Sequence, residues 1–120
     1  MRADCHMHTY FSGDSEAKPE DMVLAAIDKG LEAICFTDHE DIDYFCDDIE
    51  FVFDPETYFK ELGALKEKYK EKLDIRIGVE FGLQPHLAKK AKAFTAANPY
   101  DFVIGSMHVV DGKDPYYPEF

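Results

Sequence analysis

Hydrophobic and polar positions along the chain alternate between two periods, one typical of buried β-strands and one typical of amphipathic helices. Four short apolar runs rich in Ile, Val or Phe predict strands at residues 2–5, 33–37, 75–80 and 101–105. Helical patterns separate these runs. Strands that alternate with helices typically form a parallel sheet covered by helices, so the pattern predicts a parallel α/β fold of about four βα units.

Start and stop signals define three helices between the predicted strands. The signals are Pro19 and Gly30 for the first helix, Asp54 with Pro55 for the second, and Pro85 with Asn98-Pro99 for the third. Apolar residues at helical spacing are expected to pack inward from each helix. They are Met22, Val23, Ala26 and Ile27; Tyr58, Phe59, Leu62, Leu65 and Tyr69; and Leu87, Ala91 and Phe94.

The composition describes one acidic domain or part of one. The chain has 120 residues, a hydrophobic content of 46% and a formal net charge of −12. This charge would repel nucleic acid phosphates, so no nucleic acid partner is expected. The longest aliphatic stretch, residues 23–27, is too short to cross a bilayer, and the first residues lack the apolar region of a signal peptide. A cytoplasmic protein with no membrane partner is expected.

Three cysteines, Cys5, Cys35 and Cys46, are interpreted as reduced thiols because their number is odd and they form no paired framework. Cys5 lies in the first strand, where its side chain is expected to point away from that of His6, and Cys35 lies inside a buried strand. Neither is expected to bind metal.

The most informative polar positions lie in the segment from Asp4 to Asp14, which contains His6-Met7-His8. Successive side chains of a β-strand point to opposite faces, so His6 and His8 share one face and can hold one cation together. Asp14 follows a Ser-Gly turn and can return to the same place. A His-x-His pair alone is a weak metal motif, so the prediction depends on further segments.

Three further strand-like runs also end in ionisable residues, namely Asp38-His39, Glu80 and His108. These positions fall at or just beyond the C-terminal ends of the strands, where βα-barrels and open α/β sheets place their chemistry. A structural role readily explains one such residue but not four successive strands of this kind. The sequence therefore predicts a metal site at this edge of the sheet.

The order and spacing of these residues resemble a known family. The chain is similar to the PHP (polymerase and histidinol phosphatase) superfamily of metal-dependent phosphoesterases, and within it to the stand-alone histidinol-phosphatases. The resemblance covers essentially all 120 residues and rests on four motifs: His6-Met7-His8 with Asp14, Thr37-Asp38-His39, Gly78-Val79-Glu80 and Gly105-Ser106-Met107-His108.

The resemblance implies that residues 1–120 are the N-terminal portion of a PHP domain, a distorted TIM-like barrel with a trinuclear site of divalent zinc, manganese or iron ions. Neutral imidazoles and carboxylates suit these metals. The implied ligand set is His6 and His8 for one metal, Glu80 as a bridge to a second metal that His108 also binds, and Asp14 with His39 for the third.

The implied activity is hydrolysis of a small phosphorylated substrate, L-histidinol phosphate, to L-histidinol and phosphate in L-histidine biosynthesis. Glu80, His39 and His108 are implied as catalytic residues because they hold the metals that activate a water molecule between them.

Other polar residues are assigned supporting roles. Asp38 is expected to orient a metal-bound ring or to fix the turn. His86 is interpreted as a surface or cap-region residue, with a contact to the substrate as the alternative. The loop at residues 40–53 could partly cover a site, and its acidic residues are interpreted mainly as solvated charge. Alternatively, one of them contacts the cationic end of the substrate. These acidic residues are Glu40, Asp41, Asp43, Asp47 and Asp48.

The chain departs from the family pattern in its length, because a βα-barrel of eight units takes roughly 250 residues. The later family motifs and the region expected to grip phosphate are absent, so each metal would lack part of its ligand shell. We expect a fragment of a longer histidinol-phosphatase. The alternative is a short protein that dimerises through its open strand edges.

Three other functions remain open at this point. A related enzyme could act on another small phosphoester, or on nucleic acid ends, which the acidic charge disfavours. An amidohydrolase also begins with His-x-His on a barrel strand, but it usually bridges its metals with a modified lysine, and Glu80 takes the corresponding kind of role here. The third possibility is an inactive metal-binding fragment.

Overall fold

Helices and strands alternate along the whole chain, as the sequence pattern predicts. The computed structural model describes residues 1–46, 48–118 and 120. Its elements, in chain order, are β1 (Ala3–Met7), α1 (Pro19–Asp28), β2 (Ala33–Glu40), α2 (Pro55–Lys68), β3 (Asp74–Gly82), a 3-10 turn (Pro85–Leu87), α3 (Ala88–Ala97) and β4 (Phe102–Ser106).

The four strands form one parallel sheet in the order β1-β2-β3-β4. Each neighbouring pair is joined by a helical crossover, the connection that parallel strands require. Sequential parallel order with one helix after each strand is the repeat of a βα-barrel, so the predicted α/β class and strand direction are confirmed.

The helices pack on one face of the sheet. Ile34 and Phe36 of β2 and Ile77 of β3 join residues of α1 and α2 in the main hydrophobic core. All predicted inward positions of the first two helices contribute to this core. Because strand side chains alternate between faces, His39 and Glu80 lie on the opposite face, where they are direct neighbours in the pairing of β2 with β3.

Local signals in the sequence explain the helix boundaries. Gly30 follows α1 with a φ of +74°, a conformation that glycine adopts without steric cost, and its N–H donates to the Ile27 carbonyl. The Asp54 carboxylate accepts a hydrogen bond from the Thr57 N–H at the start of α2. In the third helical segment Leu87 is buried, whereas Ala91 and Phe94 are only partly buried.

Several predicted boundaries differ from the structure. β1 continues to Met7 and β3 to Gly82, beyond the predicted ends at Cys5 and Glu80. β2 continues to Glu40 instead of ending at Thr37, because its pairing with β3 extends to Glu40 opposite Phe81. His39 therefore lies inside the strand rather than beyond it, which fixes its backbone more firmly than a loop would. The third helical segment begins at Pro85 as predicted, but its first turn is 3-10 rather than α.

The outer strands are much less buried than the inner ones. Every residue of β2 is buried, whereas β1 and β4 are mostly exposed, and Phe102 and Val103 of β4 expose 47% and 40% of their surface. Within the described residues, β1 and β4 each pair with one strand. In that part of the chain, the helices are too short or too polar for a membrane-spanning segment.

Tyr58 connects α2 to the two inner strands. The side chain is fully buried, and its hydroxyl donates a hydrogen bond to the Gly78 carbonyl at 2.9 Å and accepts one from the Asp38 N–H at 3.3 Å. Burial raises the pKa of the Tyr58 hydroxyl far above its usual value. The hydroxyl therefore stays protonated and ties the backbones of β2 and β3 to the helix.

We expect Tyr58→Phe to lower the free energy of unfolding by about 1–3 kcal/mol, because it removes two buried hydrogen bonds. Chemical denaturation monitored by circular dichroism measures this change. Tyr116→Phe is the matched control, since Tyr116 is 86% exposed, and it should change the stability by less than about 0.5 kcal/mol. Equal effects of the two substitutions would contradict this role of the Tyr58 hydroxyl.

Candidate metal centre

The C-terminal ends of all four strands converge on one group of side chains. β1 and the residue after it supply His6 and His8, β2 supplies His39, β3 supplies Glu80, and His108 follows β4 by two residues. The structure therefore brings together the histidines that the sequence predicts from four separate segments.

Glu80 lies at the centre of this group. One carboxylate oxygen, Oε2, lies 2.8 Å from His8 Nε2, 3.2 Å from His6 Nε2 and 3.5 Å from His39 Nδ1. The other oxygen, Oε1, lies 3.4 Å from His108 Nε2. The Glu80 side chain is only 5% exposed, so four imidazoles replace most of its water.

Asp14 reaches the same group from the segment between β1 and α1. Its carboxylate oxygens lie 3.8 Å from His8 Nδ1 and 3.4 Å from His39 Nε2. The Asp14 side chain is 41% exposed, so it faces the solvent side of the cluster. All six predicted ligand residues are thus close to at least one other member.

Among the residues that the structure describes, the potential ligand atoms form three overlapping groups, and within each group they lie within 4.8 Å of one another. The groups are His6, His8 and Glu80; His8, Asp14 and His39; and His39, Glu80 and His108. His8 and His39 each belong to two groups. The sequence did not indicate these shared ligands, because they result from the packing of one strand beside another.

The donor set suits a divalent transition metal. His39 Nδ1 is buried and, within the described structure, makes no hydrogen bond, although Asp41 Oδ2 lies 3.0 Å away. A buried ring nitrogen without a hydrogen bond is costly unless it binds a ligand. Imidazole nitrogens and carboxylate oxygens are the donors that zinc, manganese and iron accept. These residues therefore fit the metals that the sequence implies.

Asp38 fixes the turn after β1, one of the two roles expected from the sequence. Its fully buried carboxylate accepts hydrogen bonds from the Thr9 hydroxyl at 3.0 Å and the Ser12 hydroxyl at 2.7 Å. The Ser12 hydroxyl oxygen in turn accepts from the His39 N–H at 2.9 Å. This network joins the segment that carries Asp14 to the strand that carries His39.

The interpretation of Asp41 and Glu40 as solvated charge is wrong. Asp41 is 4% exposed, and its Oδ1 lies 2.7 Å from His108 Nδ1. Glu40 is 5% exposed, accepts a hydrogen bond from the Phe53 N–H, and has its pKa raised to about 7 by burial. Both residues are buried because β2 runs farther than predicted and the following loop folds back over its end.

The remaining polar residues of the loop lie at the edge of the cluster or away from it. Asp43 lies 2.9 Å from His86 Nε2, and the His86 side chain is 57% exposed, in agreement with its predicted surface position. Asp48 is exposed, as expected. Asp47 lies outside the residues that the structure describes.

Opposite charges set the protonation of the cluster. The hydrogen bond to Asp41 is the main cause that raises the pKa of His108 to about 10, and Glu80 adds to the effect. A hydrogen bond to Glu80 likewise raises the pKa of His8. Burial opposes ionisation of Glu80, but the surrounding imidazoles outweigh it and hold the pKa of that carboxyl far below its usual value.

A cleft of about 510 Å³ opens beside the cluster. Asp14, His39 and His108 form part of its wall, and Tyr44 and Phe51 from the loop after β2 form another part. The loop thus borders the candidate site, as the sequence suggested. The cleft offers space for a small organic molecule in direct contact with the metal-binding groups.

The cysteines do not join any of the three candidate ligand groups in the described part of the chain. Cys35 is buried and Cys5 is exposed, and no disulfide links the three thiols. Burial raises the pKa of the Cys35 thiol to about 12, so this thiol stays protonated.

Comparison with known protein families gives one match over nearly the whole chain. The model of the PHP domain family matches residues 4–120. Histidinol-phosphatase from Lactococcus lactis is 36% identical over 115 residues, which are 96% of this chain and 42% of the relative. The chain therefore spans less than half the length of this relative.

Solved structures give the same result. The crystal structure of the Lactococcus lactis histidinol phosphate phosphatase, in complex with zinc, L-histidinol and phosphate, is 37% identical and has a TM-score of 0.86. The similarity covers 92% of this chain and 41% of that one. A solved structure from Listeria monocytogenes, 22% identical over 98% of this chain and 51% of its own, has a TM-score of 0.85 and supports the fold alone.

We expect zinc to stabilise the protein, because a ligand that binds only the folded state adds about 2.7 kcal/mol at a hundred times its Kd. Glu80→Gln should lose most of this gain, because Glu80 belongs to two of the three ligand groups. Thermal unfolding with zinc and with EDTA measures the difference.

Glu67→Gln is the matched control, since its side chain is 74% exposed and contacts only Lys70 among the ion pairs of the described residues. This variant should retain the full zinc effect. A zinc-induced gain in Glu80→Gln as large as that of the parent protein would contradict the central position of Glu80 in metal binding.

Proposed function

Because the chain belongs to the PHP domain family, we propose that it acts as a metal-dependent phosphomonoester hydrolase with L-histidinol phosphate as its substrate. The products are L-histidinol and phosphate, and the reaction is a step of L-histidine biosynthesis in the cytoplasm. The observation that carries the proposal is the convergence of four imidazoles and Asp14 around the buried Glu80 carboxylate.

The chain's own residues would hold three divalent ions. The first ion would be bound by His6, His8 and Glu80. The second would be bound by His8, Asp14 and His39, and the third by His39, Glu80 and His108. Bound there, the ions would activate water and neutralise the charge of the phosphoryl group and the leaving oxygen.

The charge of the cluster supports a requirement for metal. Asp14 and Asp41 line the cleft and Glu80 lies among the histidines, so three carboxylates surround the candidate site. Carboxylates repel a phosphate group at short range, and burial strengthens this repulsion. A protonated His108 offsets part of this repulsion, and divalent cations attracted by the same carboxylates would offset more of it.

The chain's residues have three tasks in this proposal. Glu80, His39 and His108 act as catalytic residues by holding the metals against the reacting phosphate. Asp38 keeps the turn that carries Asp14 in place. The aromatic part of the cleft wall, with Tyr44 and Phe51, holds the organic part of the substrate and limits access of water.

The chain covers only part of the length of its relatives. It spans about 42% of the Lactococcus lactis relative, and β1 and β4 leave sheet edges exposed. We propose that residues 1–120 are the N-terminal portion of a PHP domain. The exposed edges would pair with further strands, either of a longer chain or of a second copy.

We expect the protein to release phosphate from L-histidinol phosphate when manganese or zinc is added. His8→Ala should lower the rate by at least about a hundredfold, because His8 belongs to two ligand groups and residues of a catalytic unit rarely contribute less. A colorimetric phosphate assay measures the initial rate for each variant.

His86→Ala is the matched control, because this histidine lies outside the cluster and its side chain is 57% exposed. It should retain the parent rate. Equal rates for His8→Ala and the parent, or turnover restricted to unrelated phosphoesters, would contradict the proposed reaction. Tight metal binding without turnover would instead indicate an inactive metal-binding domain.

A further inference from the structure

Asp41 occupies a buried position directly after β2. The residue is 4% exposed, and its backbone N–H donates a hydrogen bond to the Phe51 carbonyl at 2.7 Å. This contact closes the loop between Asp41 and Phe51 at its base. The backbone of Asp41 is thus held in place, and its carboxylate faces the candidate metal centre rather than solvent.

The two oxygens of Asp41 contact two different histidines. Oδ1 is hydrogen-bonded to His108 Nδ1 at 2.7 Å, and Oδ2 lies 3.0 Å from His39 Nδ1. These histidines come from the segment after β4 and from β2, whose strands are separated by β3. One carboxylate therefore contacts two candidate ligands that no neighbouring backbone pairing holds together.

The backbone of β3 leaves space for this carboxylate at Gly82. A Cβ atom added to Gly82 would lie 1.7 Å from Asp41 Oδ1 and 2.8 Å from Asp41 Cγ. Any other residue at this position would force the Asp41 side chain to move, because a contact below 3.0 Å is not tolerated. Gly82 thus leaves the space that the Asp41 carboxylate occupies in this position.

We infer that Asp41 is a positioning residue, which orients the imidazole of His108 through a hydrogen bond and limits the position of the His39 ring by close contact, so that both rings face the candidate metal sites. This inference rests on the proposed metal-dependent function. When His108 donates its Nδ1–H to the Asp41 carboxylate, the lone pair of His108 Nε2 is left for a cation. His108 Nε2 then faces Glu80 at 3.4 Å, and His39 Nε2 faces Asp14 at the same distance.

The direct test compares zinc binding by the parent protein, Asp41→Asn and Gly82→Ala. An asparagine side chain is uncharged, keeps one oxygen and replaces the other by a donor, so it cannot present an oxygen to both rings. Gly82→Ala keeps Asp41 but displaces its carboxylate. We expect both variants to bind the parent number of zinc ions with about 10-fold to 100-fold lower affinity.

Competition with a chromophoric zinc chelator measures affinity and stoichiometry together. The visible absorption of the cobalt-substituted protein should also change in both variants, because the geometry of the nitrogen ligands changes. Gly63→Ala is the matched control for glycine, since nothing lies within 4 Å of its added Cβ, and Asp28→Asn is the control for an exposed carboxylate. Both should bind zinc as the parent does.

Several outcomes would overturn the inference. Loss of one zinc equivalent in Asp41→Asn would make Asp41 a direct ligand. A lower free energy of unfolding in the metal-free protein with unchanged zinc affinity would leave it a purely structural role. Absence of zinc binding in the parent protein would also overturn it. If the parent binds zinc but releases no phosphate, the proposed function fails while the positioning role is still measured by affinity.

Discussion

The structure depends on burying the charge of Glu80 at the point where four strands meet. Removing a carboxylate from water is costly unless charged or hydrogen-bonding partners replace the lost solvent. Here the partners are imidazoles from β1, the turn after it, β2 and the segment after β4. Since each partner comes from a different part of the chain, one buried charge requires all four segments to keep their relative positions.

Two further buried carboxylates extend this requirement outward from the cluster. Asp38 holds the turn that carries Asp14, and Asp41 contacts His39 and His108 from the other side. All three carboxylates are almost inaccessible to solvent, whereas most of the acidic excess of the chain lies on its surface. A small number of the acidic residues thus organises the site, and most of the others lie on the surface.

The sheet itself places these groups with little help from loops. β2 and β3 are buried along nearly their whole length, and their pairing sets His39 beside Glu80 on the face away from α1 and α2. Tyr58 holds the same two strands from the helical side. The hydrophobic core and the polar cluster therefore lie on opposite faces of one rigid pair of strands, which keeps the candidate ligands in fixed positions.

The sequence by itself determined the alternation of strands and helices, the parallel class and the six residues of the cluster. Hydrophobic periodicity and glycine or proline signals act locally, and the four motifs each end a strand, so both could be recognised without coordinates. The resemblance to the PHP family, which the family comparison supports over residues 4–120, rests on the same local motifs. Boundaries were less certain, as β2 shows by continuing to Glu40.

Only the tertiary structure decided which acidic residues are buried and which ligands are shared. Asp41 and Glu40 belong to an acidic, aromatic segment that has the composition of a solvated loop, and nothing local distinguishes them from Asp48. Asp41 has its role because Gly82, 41 positions later by sequence number, leaves space for its carboxylate, and because His108 returns to it from beyond β4. Burial and pairing of this kind depend on contacts between distant segments, and such contacts exist only once the strands are side by side.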